Sequence, residues 1–332
     1  MRGVLSEGYL QIRENGMNTL FECHGHLMMD GSDYAAAKKN HEKAVNIESI
    51  RRELKALQEH GVVYFRDGGD AFGVGKAVRH LAEEYGVEYV TPVFAIHRKG
   101  RYGRIVGRDY ETIADYRKRL AEVREEQGDF VKLIVSGIIT FREYGGLSCE
   151  SLGKDEITEL IHIAHGEGYA VMIHVNGPDA IRACVEAGAD SIEHGYFADE
   201  ETLRCIAEHN TIWVPTIAAT QAFVGRDGFD EAVARETVER QMEAVRFVTG
   251  LREPESNVPG TKERTPGAKE NRPYRIPWII APGSDSGAVG VPHGPGTVQE
   301  YSLLAQAGLD EEKIRSAGEA LRMRFRLSRH NV

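Results

Sequence analysis

The chain has 332 residues, 41% hydrophobic and 28% charged, enough for one large α/β unit or two ordinary domains. A formal net charge of −10 argues against a nucleic-acid partner, because an acidic protein repels phosphates unless it carries a local basic face. The one tight basic cluster, Arg98, Lys99, Arg101 and Arg104, is too short to make such a face, and there is no run of about 18 apolar residues to span a membrane.

In chain order, short β-rich runs bounded by Gly, Pro, Asp or Asn are expected at 19–26, 62–67, 88–96, 130–136, 170–175, 191–194, 211–214 and 279–285. Amphipathic helical patterns fall between and after them at 48–60, 73–85, 110–127, 155–166, 178–187, 199–209, 231–249 and 298–307, with a last helix at 310–326. Pro178 suits a first helical position, where its missing N–H is not needed. His60-Gly61, Tyr85-Gly86 and Ala187-Gly188 read as helix stops. Eight alternating β/α units predict a parallel sheet. A closed (β/α)8 TIM barrel is expected in preference to an open doubly wound sheet, since closure leaves no edge strand. The barrel is assigned residues 19–326. Residues 1–18 are a polar N-terminal extension without the apolar stretch of a secretory signal. Residues 251–278 form a long Pro- and charge-rich excursion before the last strand, and 327–332 a C-terminal tail.

Cys23, Cys149, Cys184 and Cys205 contain no CxxC pair for a structural zinc knuckle. Scattered thiols fit a reducing, cytoplasmic setting. The segment Gly73-Val74-Gly75-Lys76-Ala77 has some P-loop character, but Asp70 stands where the first Gly is needed and Ala77 replaces Ser or Thr. The phosphate cradle and the Mg²⁺ hydroxyl are both missing.

Active sites of such barrels lie at the C-terminal strand ends, and metal-ligand residue types collect there. The first strand ends Cys23-His24-Gly25-His26. Residues two apart on a strand share a face, so both imidazoles should project together. The fifth run ends at His174, the sixth at His194, and the eighth at Asp285 in Gly283-Ser284-Asp285-Ser286. Taken singly, each His is more simply a core or loop residue; together, four His and one Asp at strand ends point to a metal site. His41, His60, His80, His162, His165, His209 and His330 fall on helices or their ends and are assigned to solvent or packing. Lys132 interrupts the apolar run Phe130-Val131-Lys132-Leu133-Ile134-Val135. Burying an unpaired ammonium is costly, so Lys132 faces outward, pairs with a carboxylate, or is modified and ligates metal.

His24-x-His26, Lys132, Ser191-Ile192-Glu193-His194-Gly195 and Gly283-Ser284-Asp285-Ser286-Gly287 resemble the amidohydrolase superfamily, in particular its imidazolonepropionase-related and prolidase-like members. The resemblance covers roughly residues 19–325. It implies a hydrolase of C–N bonds (amide, peptide or cyclic amide) holding two divalent ions, zinc with manganese, cobalt or iron as alternatives. His24 and His26 would hold the more buried ion, and His174 and His194 the second. Lys132, carboxylated by carbon dioxide, would bridge them. Asp285 would bind the first ion and act as general acid/base for an attacking bridging hydroxide. This sequence departs from the pattern at Glu22, where Asp often stands, and at Ile138 and Ile139, where related sequences are Gly-rich. Little or no accessory β domain is expected.

His97 is the candidate donor to a tetrahedral oxyanion. Arg98, Arg142, Tyr144, Asn176, Tyr196 and His293 are candidate substrate contacts. An Arg in the mouth would grip a carboxylate, which suits a dipeptide or an N-acyl amino acid; Arg142 is equally readable as a solvent-facing residue. No nucleic-acid or membrane partner is expected, and a homo-oligomer is allowed. Two other readings stay open: a mononuclear, deaminase-like site on His24, His26, His174 and Asp285, and a catalytically silent metal-binding barrel.

Overall fold

The computed structural model describes residues 19–252 and 278–327. The expected extension 1–18, most of the excursion 251–278, the tail from 328 on and His330 lie outside the described residues. Among the described residues nine strands form: β1 Leu20–Gly25, β2 Val62–Asp67, β3 Glu88–Val90, β4 Ala95–Arg98, β5 Gly107–Tyr110, β6 Val131–Ile134, β7 Val171–Val175, β8 Ser191–His194 and β9 Ile212–Val214. They form a three-stranded sheet, β1-β2-β3, and a six-stranded sheet, β5-β4-β6-β7-β8-β9. Every strand pair is parallel.

The sequence run 88–96 is expected to be one strand, and the structure breaks it. Val93 takes a left-handed φ of 68°, so β3 pairs with β2 while β4 pairs with β6. Such a φ is costly for a β-branched residue, and a single-period reading of the run cannot show it. The eighth run is also not a regular strand. Pro282 has no N–H to give a ladder, and the segment bonds to both neighbours one link at a time. Trp213 N donates to Ile279 O (2.7 Å), Cys23 N to Pro282 O (2.9 Å) and Asp285 N to His24 O (2.8 Å). Isolated parallel bridges join Trp213 to Ile280 and Gly25 to Ser286. Residues 279–286 therefore connect β9 to β1, and residues 91–94 connect β3 to β4. At Gly283 a Cβ would strike the side chain of Val214 and come within 2.8 Å of the His24 N, so the approach to β1 requires glycine.

Eleven helices are described: α1 Tyr34–His41, α2 Ile47–Glu59, α3 Val74–Leu81, α4 Ile113–Glu125, α5 Lys154–Gly166, α6 Pro178–Glu186, α7 Glu200–Glu208, α8 Ile217–Gln221, α9 Glu231–Arg252, α10 Pro295–Gln306 and α11 Glu311–Leu327. The predicted helix 73–85 tightens after Leu81 into a 3-10 turn, Ala82–Tyr85. Local chemistry starts them: Asn46 accepts from Ser49 N ahead of α2, and Thr112 and Asp115 form a capping box ahead of α4. Spacing places their apolar stripes inward. Ile50, Leu54 and Leu57 of α2 are fully buried, each worth roughly 1.5–3 kcal/mol. The sequence reading lacks α1, α8 and β5. Tyr34-Ala35-Ala36-Ala37-Lys38-Lys39-Asn40-His41 has little apolar periodicity, and α8 and β5 are about one turn and four residues long. Among the described residues no helix is long and apolar enough to cross a membrane.

Candidate metal centre

The strand ends bring the six predicted ligands into one buried cavity. His24 comes from β1 and His26 follows it. Their ring centroids lie 5.5 Å apart, and each Nε2 is 3.7 Å from Asp285 Oδ1. The ring of His194, at the end of β8, lies 4.8 Å from that of His24, tilted, and meets His174 of β7 edge-on at 4.6 Å. Ligand atoms of His24, His194 and Asp285 all fall within 4.8 Å of one another. Lys132 of β6 is fully buried and also lines this cavity. His194 has φ 65° and Asp285 φ 60°, strained conformations that cost of order 1–3 kcal/mol each and cluster at working sites.

A set of oriented partners surrounds these groups. His24 Nδ1 meets Glu193 Oε2 at 2.7 Å, and Arg66 holds both Glu193 oxygens at 2.8 and 2.9 Å. His26 Nδ1 donates to Gly69 O at 3.1 Å, and Gly68 packs against the His26 ring with no room for a Cβ. His194 Nδ1 meets Thr216 Oγ1 at 2.8 Å, and the Tyr196 hydroxyl meets the same oxygen at 2.7 Å. Fixing one ring nitrogen aims the other, as metal-binding imidazoles require. Glu22 stands two residues before His24 and fixes the eighth segment to β1: its oxygens accept from Ser284 N (2.8 Å), Ser284 Oγ (2.5 Å) and Thr297 Oγ1 (2.5 Å).

Among the residues that orient the imidazoles, Glu193, Arg66 and Thr216 are the ones that sequence reasoning misses. Glu193 and Arg66 carry the signal that singles out Lys132, a charge inside an apolar strand. Adjacent strand residues face opposite ways, which hides Glu193 behind His194. The left-handed turn at His194 breaks that alternation and lets both reach His24. Thr216 gives no signal in the sequence.

The residues present fit divalent cations. Burial drives His26 and His174 down to about 3 and holds His24 and His194 well below the imidazole range, so all four imidazoles are neutral, the form that can ligate a metal. Lys132 Nζ and Asp285 Oδ1 are buried without a hydrogen-bond partner, a costly arrangement in a folded protein that ligation would relieve. Burial lowers the Lys132 amine to about 8, with Glu193 opposing the shift. It raises Asp285 to about 6, with Lys132 opposing.

The cavity holds about 290 Å³. Asn176 and Tyr196 line it as expected, whereas five other predicted site residues do not. His97 is buried behind the loop that joins β4 to β5, its Nδ1 bonded to Arg98 O at 3.0 Å. Arg98 is held by Glu156. Arg142 is exposed. Tyr144 is 41% exposed and packs on Phe197. His293 ties the eighth segment to the first loop through Ser286 Oγ (3.1 Å) and Met29 O (2.8 Å). Their place is taken by Tyr102, Ile105 and Val106 from the β4–β5 loop, Phe141 after β6, and Phe223 and Phe229 after α8, which the sequence does not single out, together with Ile138 and Ile139, which stand out there only as a departure from a Gly-rich pattern.

The amidohydrolase family model matches residues 19–250. The chain belongs to the amidohydrolase family. The amidohydrolase chain is 34% identical over 136 residues to an uncharacterized protein of Mycobacterium tuberculosis, covering 38% of this chain and 36% of that one. It is 22% identical over 240 residues to the ochratoxinase of Aspergillus niger, covering 64% of this chain and 50% of that enzyme. The matched segments thus span a third to a half of those relatives. In fold it is similar to a Xaa-Pro dipeptidase crystallised with methionine in its active site, with a TM-score of 0.67, 18% identity and coverage of 93% of this chain and 75% of that one. This amidohydrolase shares with that structure its α/β architecture of parallel strands and helices.

Proposed function

We propose that this amidohydrolase is a metal-dependent, prolidase-like hydrolase of a C–N bond in a small molecule, with its two sheets closed by residues 91–94 and 279–286 into a (β/α)8 barrel. The observation that carries the reading is the convergence of four neutral imidazoles, Asp285 and the unpartnered Lys132 amine on one cavity. His24, His26 and Asp285 would hold one ion and His174 and His194 a second, with a carboxylated Lys132 between them. Bound there, the ions supply Lewis acidity that activates water and polarises the scissile carbonyl.

The chain's own groups supply the rest. The Asp285 carboxylate, 3.7 Å from the Nε2 of both His24 and His26, takes a proton from the attacking water and returns it to the leaving nitrogen. Glu193, clamped by Arg66, holds the His24 ring in position. Tyr102 replaces His97 as the carbonyl-oxygen donor. It lines the cavity 5.3 Å from the His174 ring, and burial raises its phenol, keeping it protonated. Replacing Tyr102 with Phe is expected to lower kcat about 10- to 100-fold with little change in metal content. An unchanged kcat would return the donor role to another residue.

The reading is tested by elemental analysis of the purified chain. About two divalent ions per chain are expected, with amide hydrolysis lost on chelation and regained on adding zinc, manganese or cobalt. One ion would favour the mononuclear alternative. A chain that retains no metal and gains no activity from any of these ions would sink the hydrolase reading.

A further inference from the structure

We infer, resting on the hydrolase reading above, that the substrate is an uncharged amide with an apolar or aromatic group beside the scissile bond, and not a free dipeptide or an N-acyl amino acid. The cavity chemistry points there. Among the described residues lining it there is no arginine, and Lys132, the one lysine, belongs to the metal set. The arginines that sequence places near the mouth are engaged elsewhere or lie outside the lining, Arg98 on Glu156 and Arg142 in solvent. The one carboxylate among the described lining residues is Asp285, which the ions of the proposed site would engage. Away from the ions, a substrate carboxylate would lose its water here and find no cationic side chain among the described lining residues.

The walls offer apolar contact instead. Phe141 stacks on Phe223 at 4.6 Å, and Phe223 meets Phe229 edge-on at 4.7 Å. Ile138 and Phe229 line the cavity and are also 45% and 39% exposed, which makes the entrance apolar as well. The 290 Å³ cavity has room for one aromatic ring and an amide beside the metal set.

The test compares N-acetyl-L-phenylalanine amide with N-acetyl-L-phenylalanine on the zinc-loaded full chain, following release of the amine. The pair differs in charge and shares its apolar group. Binding the wrong way round lowers kcat and KM together, so kcat/KM reports the productive mode alone. The neutral member is expected to be favoured at least about a hundredfold. Equal rates, or faster cleavage of the acid, would overturn the inference. Ile138→Arg, at an exposed position that should tolerate the change, is expected to narrow the preference about tenfold by giving the carboxylate a partner. If neither compound is cleaved, the hydrolase reading fails for this bond, and the substrate inference is decided by calorimetric Kd values for the same pair. Tighter binding of the neutral member supports it, and equal or tighter binding of the acid overturns it.

Discussion

Asp285→Asn is expected to lower kcat by about 10³- to 10⁴-fold while most bound metal stays in place. General acid–base catalysis contributes about 10² to 10⁴, and an amide cannot accept and return a proton. Ligation should largely survive, because four buried imidazoles remain and the Asn oxygen is still a donor. Steady-state assay and elemental analysis of the same preparation check both halves; full activity would remove Asp285 from the reaction. The variant carries a second signature in the metal-free protein. Burial raises Asp285 to about 6 in the fold from its usual value near 4. A raised carboxyl favours the folded state most below its unfolded pKa, and that advantage is lost as pH rises through about 6. Metal-free Asp285→Asn should therefore gain in melting temperature over the parent at pH 8 and lose that gain at pH 4.

Lys132→Ala is expected to cut activity at least about 10²- to 10³-fold and to lower metal content as well, because the side chain lies among the candidate ligands and the proposed site would lose one of its oxygen donors. Formate, acetate or propionate should restore part of the rate by placing a carboxylate where the carboxylated amine stood. Lys132→Met keeps the packing without the nitrogen, so a Met variant that melts like the parent yet is equally inactive separates chemistry from stability. The parent's dependence on bicarbonate is a further readout. With the amine at about 8, roughly a tenth is unprotonated at pH 7, against fewer than about one in a thousand for an ordinary lysine. Reactivation of metal-stripped protein should be faster at pH 8.5 than at 6.5 and should quicken with bicarbonate. Full activity in Lys132→Ala, or reactivation indifferent to bicarbonate, would rule out the carboxylated bridge.

The gathering of the six candidate ligands on one cavity was legible because its signals are local. His24 and His26 share a face by strand alternation, and His174, His194 and Asp285 each lie at or next to the end of a run, just ahead of Asn176, Gly195 and Ser286. Lys132 stood out against its apolar neighbours. The substrate side was not legible. Arg98 and His97 lie at a strand end, where residue type alone suggests a binding role, yet Glu156 from α5 captures the arginine and the β4–β5 loop covers the histidine. Those partners are 58 residues away for Arg98 and follow no period. The break at Val93 was equally hidden, since a left-handed residue within a strand leaves hydrophobic spacing intact.

The sequence by itself determined the β/α alternation, the inward helix faces and which side chains could bind metal, because periodicity and residue chemistry act over a few neighbours. Tertiary structure alone decided which charges meet and what walls the cavity. Arg66 reaches Glu193 across 127 residues, and Phe141 reaches Phe223 from a different loop. Such pairings depend on where separate loops pack, and packing is fixed by the whole fold rather than by any segment.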